Sequence, residues 1–179
     1  HIYPLRLVQL LAILMLAIFA ATSVVQGIAN ALQYSRDFQW SPVVLLWQRI
    51  NPYAEVLSGN FSVHLILDQS PGYLHAMYVY LGPFALLDWA SAKIVWAVLN
   101  VFAALGVCYH LSFRYGLSRV AGIVMTLIFL SGTPFRNSLG NGQVSIFILL
   151  CFTALYLSKT RPRSLLAGLV YIKYSFAPT

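Results

Sequence analysis

Carboxylates are what this 179-residue sequence has least of. There are four, Asp37, Glu55, Asp68 and Asp88, and all lie between positions 37 and 88. Charged residues of either sign make up only 8% of the chain, against about a quarter in a soluble domain, which excludes a water-soluble globular fold. Cysteine is also scarce. Cys108 and Cys151 each sit inside an apolar run, so they imply neither a disulfide framework nor a metal site and read as small, buried free thiols. The four histidines, His1, His64, His75 and His110, show no metal-ligand spacing. A glycine-rich phosphate loop, a zinc pattern, a Ser/His/Asp set and a nucleic-acid motif are all missing. The net charge of +7 arises from the shortage of acids and not from a basic patch. The 11 Lys and Arg are mostly scattered, which argues against a nucleic-acid groove and makes them topology markers at helix ends.

What is present is apolar sequence: 60% hydrophobic residues and a mean hydropathy of +0.77. The expected fold is therefore all-α, a polytopic membrane helical bundle forming a single transmembrane domain over 1–179. Positions 7–35 carry no charge, and 7–31 is nearly continuous apolar sequence, longer than the roughly 20 residues that span a bilayer. That length favours a membrane helix over a signal peptide. Arg6 at its start predicts a cytoplasmic N-terminus and places Asp37 on the extracytoplasmic face. From 36 to 71 the chain is punctuated by Pro42, Asn51-Pro52, Ser58-Gly59-Asn60 and Ser70-Pro71-Gly72, as in an outer loop with short interfacial helices. The stretch 43–50 is amphipathic, with Trp40 and Trp47 expected as interface anchors.

Further apolar segments follow at 72–87, 94–113, 120–135, 144–158 and 165–177. If every one crossed, the basic cluster Lys159-Thr160-Arg161-Pro162-Arg163 would fall outside, against the positive-inside rule. One non-crossing segment repairs this: either 72–87 dips in and returns, which satisfies more charges, or 120–135 is re-entrant. Both solutions put 136–143 on the same side as Asp37. The sequence begins on His1 and stops within an apparent helix, so it reads as part of a longer chain.

Several residues carry chemistry. Asp37 directly follows a membrane helix, beside Arg36 and among aromatics. A carboxylate there is placed to take a proton from an acceptor hydroxyl, although a solvated acid paired with Arg36 or Arg49 is the simpler alternative. Arg136-Asn137-Ser138-Leu139-Gly140-Asn141-Gly142-Gln143 is a polar, glycine-containing turn between apolar segments. Its glycines allow close backbone approach, and Asn141 and Gln143 have amides suited to sugar hydroxyls, unless the stretch is a plain helix-helix turn. Lys173 lies deep in the last apolar piece, where it must snorkel, pair, or meet an anion such as a phosphate. His75 lies in the aromatic stretch 73–80, as a packed or interfacial histidine or as a ligand contact.

In order and spacing these features resemble glycosyltransferase family 87, within the GT-C class of membrane glycosyltransferases. The resemblance is carried by Asp37-Phe38 with Trp40, by Asn51-Pro52-Tyr53, and by Tyr73-Leu74-His75-Ala76. It continues through Gly82-Pro83-Phe84-Ala85-Leu86-Leu87 and Val95-Trp96-Ala97-Val98-Leu99-Asn100. It ends with Asn141-Gly142-Gln143-Val144-Ser145, Leu166-Ala167-Gly168, Lys173 and Pro178. Where the family has a double proline, this chain has Leu74-His75, and Tyr78-Val79-Tyr80 is added nearby. The sequence covers about the N-terminal half of the family's usual length.

The resemblance implies transfer of a sugar, often mannose, from a polyprenyl-phosphate-sugar donor to a lipid or glycan acceptor. Transfer would occur with inversion on the extracytoplasmic face of a cell membrane of bacterial type. It makes Asp37 the general base and sets Arg36, Tyr53, Tyr73, His75, Arg136, Asn141, Gln143 and Lys173 as substrate-binding, with Arg136 and Lys173 compensating the leaving phosphate. Nothing in the sequence requires a metal or other cofactor; the lipid-linked sugar is a substrate. The expected partners are that donor, the acceptor and membrane lipids, with no nucleic acid. The competing reading is a catalytically silent transmembrane subunit of a larger membrane complex. A transporter would need paired intramembrane charges and an internal repeat, which the sequence lacks.

Overall fold

The computed structural model describes residues 2–59, 69, 71–157 and 167–168. Among these every regular element is helical: α1 (Ile2–Gln33), α2 (Trp40–Trp47), α3 (Pro52–Leu57), α4 (His75–Tyr80), a 3-10 turn (Gly82–Leu86), α5 (Trp89–Arg114), α6 (Arg119–Ser131), α7 (Thr133–Gly140) and α8 (Ser145–Leu157). The helical membrane bundle expected from composition is what forms. The last apolar segment, 165–177, and the basic cluster 159–163 fall outside the described residues, apart from 167–168, so Lys173 does too.

Two helices are long and apolar enough to cross a bilayer, Arg6–Gln33 within α1 and Trp89–Arg114. They differ in exposure: 11% of the most apolar window of α1 is buried, against 39% for α5. α1 therefore turns most of its surface outward, with Leu10, Leu14, Ile18 and Val25 all more than half exposed, as a lipid-facing helix does. α6 and α7 are bent by 57° at a short break and together have the length and composition of either a broken span or a re-entrant loop, the second being one of the two alternatives read from the sequence. The break falls where the sequence predicts it: Gly132 is extended and Pro134 occupies the first turn of α7, where its missing N–H costs nothing. The segment 72–87 contains only a six-residue helix and a short 3-10 turn. Six helical residues rise about 9 Å, well short of the roughly 30 Å hydrocarbon core.

α7 packs across the C-terminal part of α1 through small residues. A Cβ on Gly140 would come within 2.9 Å of Asn30 Cβ, and one on Gly27 within 2.8 Å of Leu139 Cδ2. Small residues let membrane helices approach closely where apolar burial alone gives little drive. This contact brings the end of α7 to the end of α1, and so carries residues 141–143 to Asp37.

The first loop builds a second layer over this end. α2 starts at Trp40, earlier than the 43–50 stretch suggests, and Trp40 is buried instead of anchoring at the interface. Its indole Nε1 donates to the carbonyls of Phe84 and Leu87 at 3.1 Å each, an inward pairing that a buried indole needs. Trp47, by contrast, is 62% exposed. Cys108 and Cys151 are free and buried, as the sequence predicts.

Candidate functional site

The site forms where two turns meet a helix: the turn after α1, the turn between α7 and α8, and the first turns of α5. α1 ends because Ser35 adopts a left-handed conformation, φ 41°, uncommon for a residue with a side chain. Its buried hydroxyl donates back to the Ala31 carbonyl at 2.6 Å. Phe38 N–H closes a tight turn onto the Ser35 carbonyl at 3.1 Å. That turn redirects the chain, leaves Arg36 exposed and Asp37 half-buried, and drives Phe38 fully inside. Backbone kept in a sparse region at a loop of this kind marks a conformation that the surroundings enforce.

Asp37 is held at two points by the α7–α8 turn. Its N–H donates to the Asn141 carbonyl at 2.9 Å, and its Oδ2 accepts from Gln143 Nε2 at 3.0 Å, across 106 residues of sequence. The Gln143 amide is held on its other side: the Ser138 hydroxyl donates to Oε1 at 3.2 Å, with Ser145 Oγ more distant at 3.5 Å. Gln143 N–H also returns to the Ser138 carbonyl at 2.9 Å. Asp37 is thus paired with an amide, not with Arg36 or Arg49 as the simpler reading has it.

Under the carboxylate lies an aromatic floor. Phe38 stacks on Trp96 with centroids 5.0 Å apart and planes 3° from parallel, and meets Phe84 edge-on at 5.2 Å. Trp96 Nε1 donates to the Gly142 carbonyl at 2.8 Å, so one side chain of α5 fixes both loops. Gly142 itself has φ +68°, and a Cβ there would meet Phe38 Cβ at 2.9 Å. Only glycine fits both the conformation and the space.

From this floor an apolar cavity of about 360 Å³ extends between α4, α5 and α8, lined by Phe84, Trp96, Leu99, Phe102, Phe147 and Leu150 among others. Asn100, 1% exposed, lies on its wall. Its Nδ2 donates to the Trp96 carbonyl at 3.0 Å, while its Oδ1 is buried with no partner.

Tyr53, Tyr73 and His75 gather apart from the carboxylate. Asn51 caps α3, its Oδ1 accepting from Tyr53 N at 3.0 Å and Ala54 N at 3.4 Å, with Pro52 in the first turn. Asn51-Pro52-Tyr53 is therefore a helix start that aims Tyr53 back at the loop. The Tyr53 hydroxyl donates to the Tyr73 carbonyl, and its ring lies 4.8 Å from that of the exposed His75. The group is tied to the site through Gln39, two residues beyond Asp37: Gln39 Oε1 accepts from the Tyr78 hydroxyl at 3.4 Å and from Gly72 N at 3.2 Å. Burial, then the neighbouring Tyr53, pushes the Tyr78 phenol well above its usual range, so it remains a donor.

Among the described residues, the predicted cations Arg136 and Arg36 have partners other than Asp37. Arg136 donates from Nη1 to Gln26 Oε1 of α1 at 2.9 Å, and Arg36 lies over the Tyr34 ring at 5.8 Å. The stretch 136–143 is not one turn, because Pro134 starts α7 and helix runs to Gly140; only 141–144 connects. Sequence reasoning missed Lys93, whose Nζ donates to the Leu32 carbonyl at the end of α1 and sits 5.1 Å over the Trp89 ring. Its signal was a single cation in the first turns of an otherwise apolar helix.

Fold and site together define a polytopic helical membrane protein with one carboxylate held at a helix mouth over an apolar cavity. The chain belongs to glycosyltransferase family 87, whose model matches residues 75–173, more than half of its length. It is a membrane glycosyltransferase by that membership. The matched span contains Trp96, Gly142 and Gln143, while Asp37 lies before it and joins it through the Gln143 amide. The comparison with curated proteins yields no match, and the comparison with solved structures yields none either.

Proposed function

We propose that this protein transfers a hexose, mannose-like, from a polyprenyl-phosphate donor to a hydroxyl of a lipid or glycan acceptor, on the extracytoplasmic face and with inversion. The observation that carries the reading is the Asp37 carboxylate, half-buried and held by Gln143 at 3.0 Å. Asp37 accepts the acceptor's hydroxyl proton as the oxygen attacks the anomeric carbon. The bond from that carbon to the phosphate oxygen breaks, and the polyprenyl phosphate leaves with the electron pair.

The apolar cavity lined by Phe84 and Trp96 suits the hydrocarbon end of such a donor, since its volume of about 360 Å³ lies in the range of small-molecule sites and its lining is mostly aliphatic and aromatic. The departing phosphate calls for positive charge, as any developing anion does. Arg136, half-buried one turn before Gly140, supplies it together with Lys173, and the exposed His75 beside Tyr53 supports the donor further out. Asn141 and Arg36, both exposed at the mouth, and Tyr73 contact the sugars.

The donor class is tested by incorporation of label in membranes containing the protein. Polyprenyl-phosphate [³H]mannose is expected to label membrane lipid or glycan, and a nucleotide-linked mannose to label nothing once conversion to the lipid-linked form is blocked. Direct use of the nucleotide sugar would overturn the donor assignment. Wild-type protein that transfers from neither would favour a silent accessory subunit.

A further inference from the structure

We propose that Gln143 is a positioning residue for Asp37, and that Ser138 acts on Asp37 through it, with Ser145 in a minor share. The inference rests on the reading of Asp37 as general base and deepens it. An ionised carboxylate has only acceptors, so of the two ends of the Gln143 amide the NH₂ must face Asp37. Oε1 then faces Ser138 Oγ at 3.2 Å and Ser145 Oγ at 3.5 Å, both of which donate a hydroxyl proton to it. The chain of donors runs in one direction, from the serine hydroxyls to Oε1 and from Nε2 to Oδ2.

Three further bonds fix this arrangement from the backbone: Gln143 N to the Ser138 carbonyl at 2.9 Å, Asp37 N to the Asn141 carbonyl at 2.9 Å, and Trp96 Nε1 to the Gly142 carbonyl at 2.8 Å. The consequence is a division of labour within the carboxylate. Oδ2 is committed to the Gln143 N–H, and Oδ1 is the oxygen that takes the acceptor's proton. Gln143 therefore touches the base and not the sugar, which revises its expected role as a substrate contact. A carboxylate locked at one oxygen loses rotational freedom and holds the other at a fixed approach angle, the kind of positioning on which proton transfer depends.

The test is transfer from polyprenyl-phosphate [³H]mannose by the full chain in membranes, with maximal rate and donor KM measured separately. Gln143→Ala is expected to lower the maximal rate about tenfold or more while the donor KM changes less than about twofold, the signature of an interaction that serves the reacting atoms rather than binding. Ser138→Ala is expected to lower the rate about threefold and Ser138→Thr, which keeps the hydroxyl, to restore it. In the Gln143→Ala background Ser138→Ala is expected to cost nothing further, because its effect passes through the amide.

A raised KM at unchanged maximal rate in Gln143→Ala would overturn the proposal and return Gln143 to substrate binding. Additive losses in the double variant would overturn the relay from Ser138. Thermal unfolding midpoints in detergent accompany each variant; if Gln143→Ala fails to fold, the Ser138→Ala and Ser138→Thr pair decides alone, equal rates overturning the proposal. A wild-type rate in Asp37→Asn would defeat the general-base reading itself. Loss in Asp37→Asn with a wild-type rate in Gln143→Ala would defeat only the positioning role.

Discussion

The two polar groups of the site, one around Asp37 at the mouth of α1 and the other around Tyr53, are built in different ways. The Asp37 group joins residues far apart in sequence, Asp37 to Gln143 and Trp96 to Gly142, and each bond has a buried or half-buried partner. The Tyr53 group is more local, with Tyr53 reaching Tyr73 twenty residues on and His75 exposed beside it. Long-range contacts in a packed setting can hold an atom to a few tenths of an ångström, whereas an exposed ring pair tolerates drift. The difference teaches that the first group has the fixed geometry that the proposed proton transfer requires, and that the second has the looser build of a scaffold.

Changes in the two groups should therefore part company. Gly142→Ala strikes the first hardest, since it forces φ +68° on a residue with a Cβ and drives that Cβ to 2.9 Å from Phe38. A stability loss of about 1–3 kcal/mol is expected, read as a lower unfolding midpoint, with transfer reduced more than about tenfold as the Asp37 loop shifts. A folded Gly142→Ala with full activity would break the comparison. Trp96→Phe keeps the stack but leaves the Gly142 carbonyl unpaired, at a cost of about 1–3 kcal/mol. Its rate should fall less than that of Gly142→Ala.

In the second group, Tyr53→Phe removes the hydroxyl bond to Tyr73 and should cost about 0.5–1.5 kcal/mol, with the maximal rate changing less than about threefold. His75→Ala should do least, within about 0.5 kcal/mol of wild type in stability because the residue is exposed. A His75→Ala protein with its maximal rate down a hundredfold would reverse the ranking of the two groups.

Much of this was readable from the residues. Charge scarcity and the run 7–31 specify a membrane helix, the sequence Ser131-Gly132-Thr133-Pro134 marks the break before α7, and Asn51-Pro52 announces a helix start. That 136–143 reaches the side of Asp37 followed from parity of crossings, and the bond to Gln143 places the two together. Other parts were not readable. Trp40 looks like an interface anchor until the carbonyls of Phe84 and Leu87 are seen to accept its indole, and no local pattern announces partners more than forty residues away. Nor was it readable that α7 carries the Arg136 guanidinium to Gln26 Oε1 of α1, 110 residues earlier in the chain. Ser138 gave no signal, because a hydroxyl five residues from a glutamine lies on neither a helical nor an extended repeat.

The measurement that bears most directly on the account is the transfer rate of Asp37→Asn, which keeps the size of the side chain and removes its basicity. The expected result is a loss of about 10²–10⁴-fold in maximal rate, the usual worth of a general base, in a protein whose unfolding midpoint matches wild type. Sugar transfer at the wild-type rate by folded Asp37→Asn protein would contradict it.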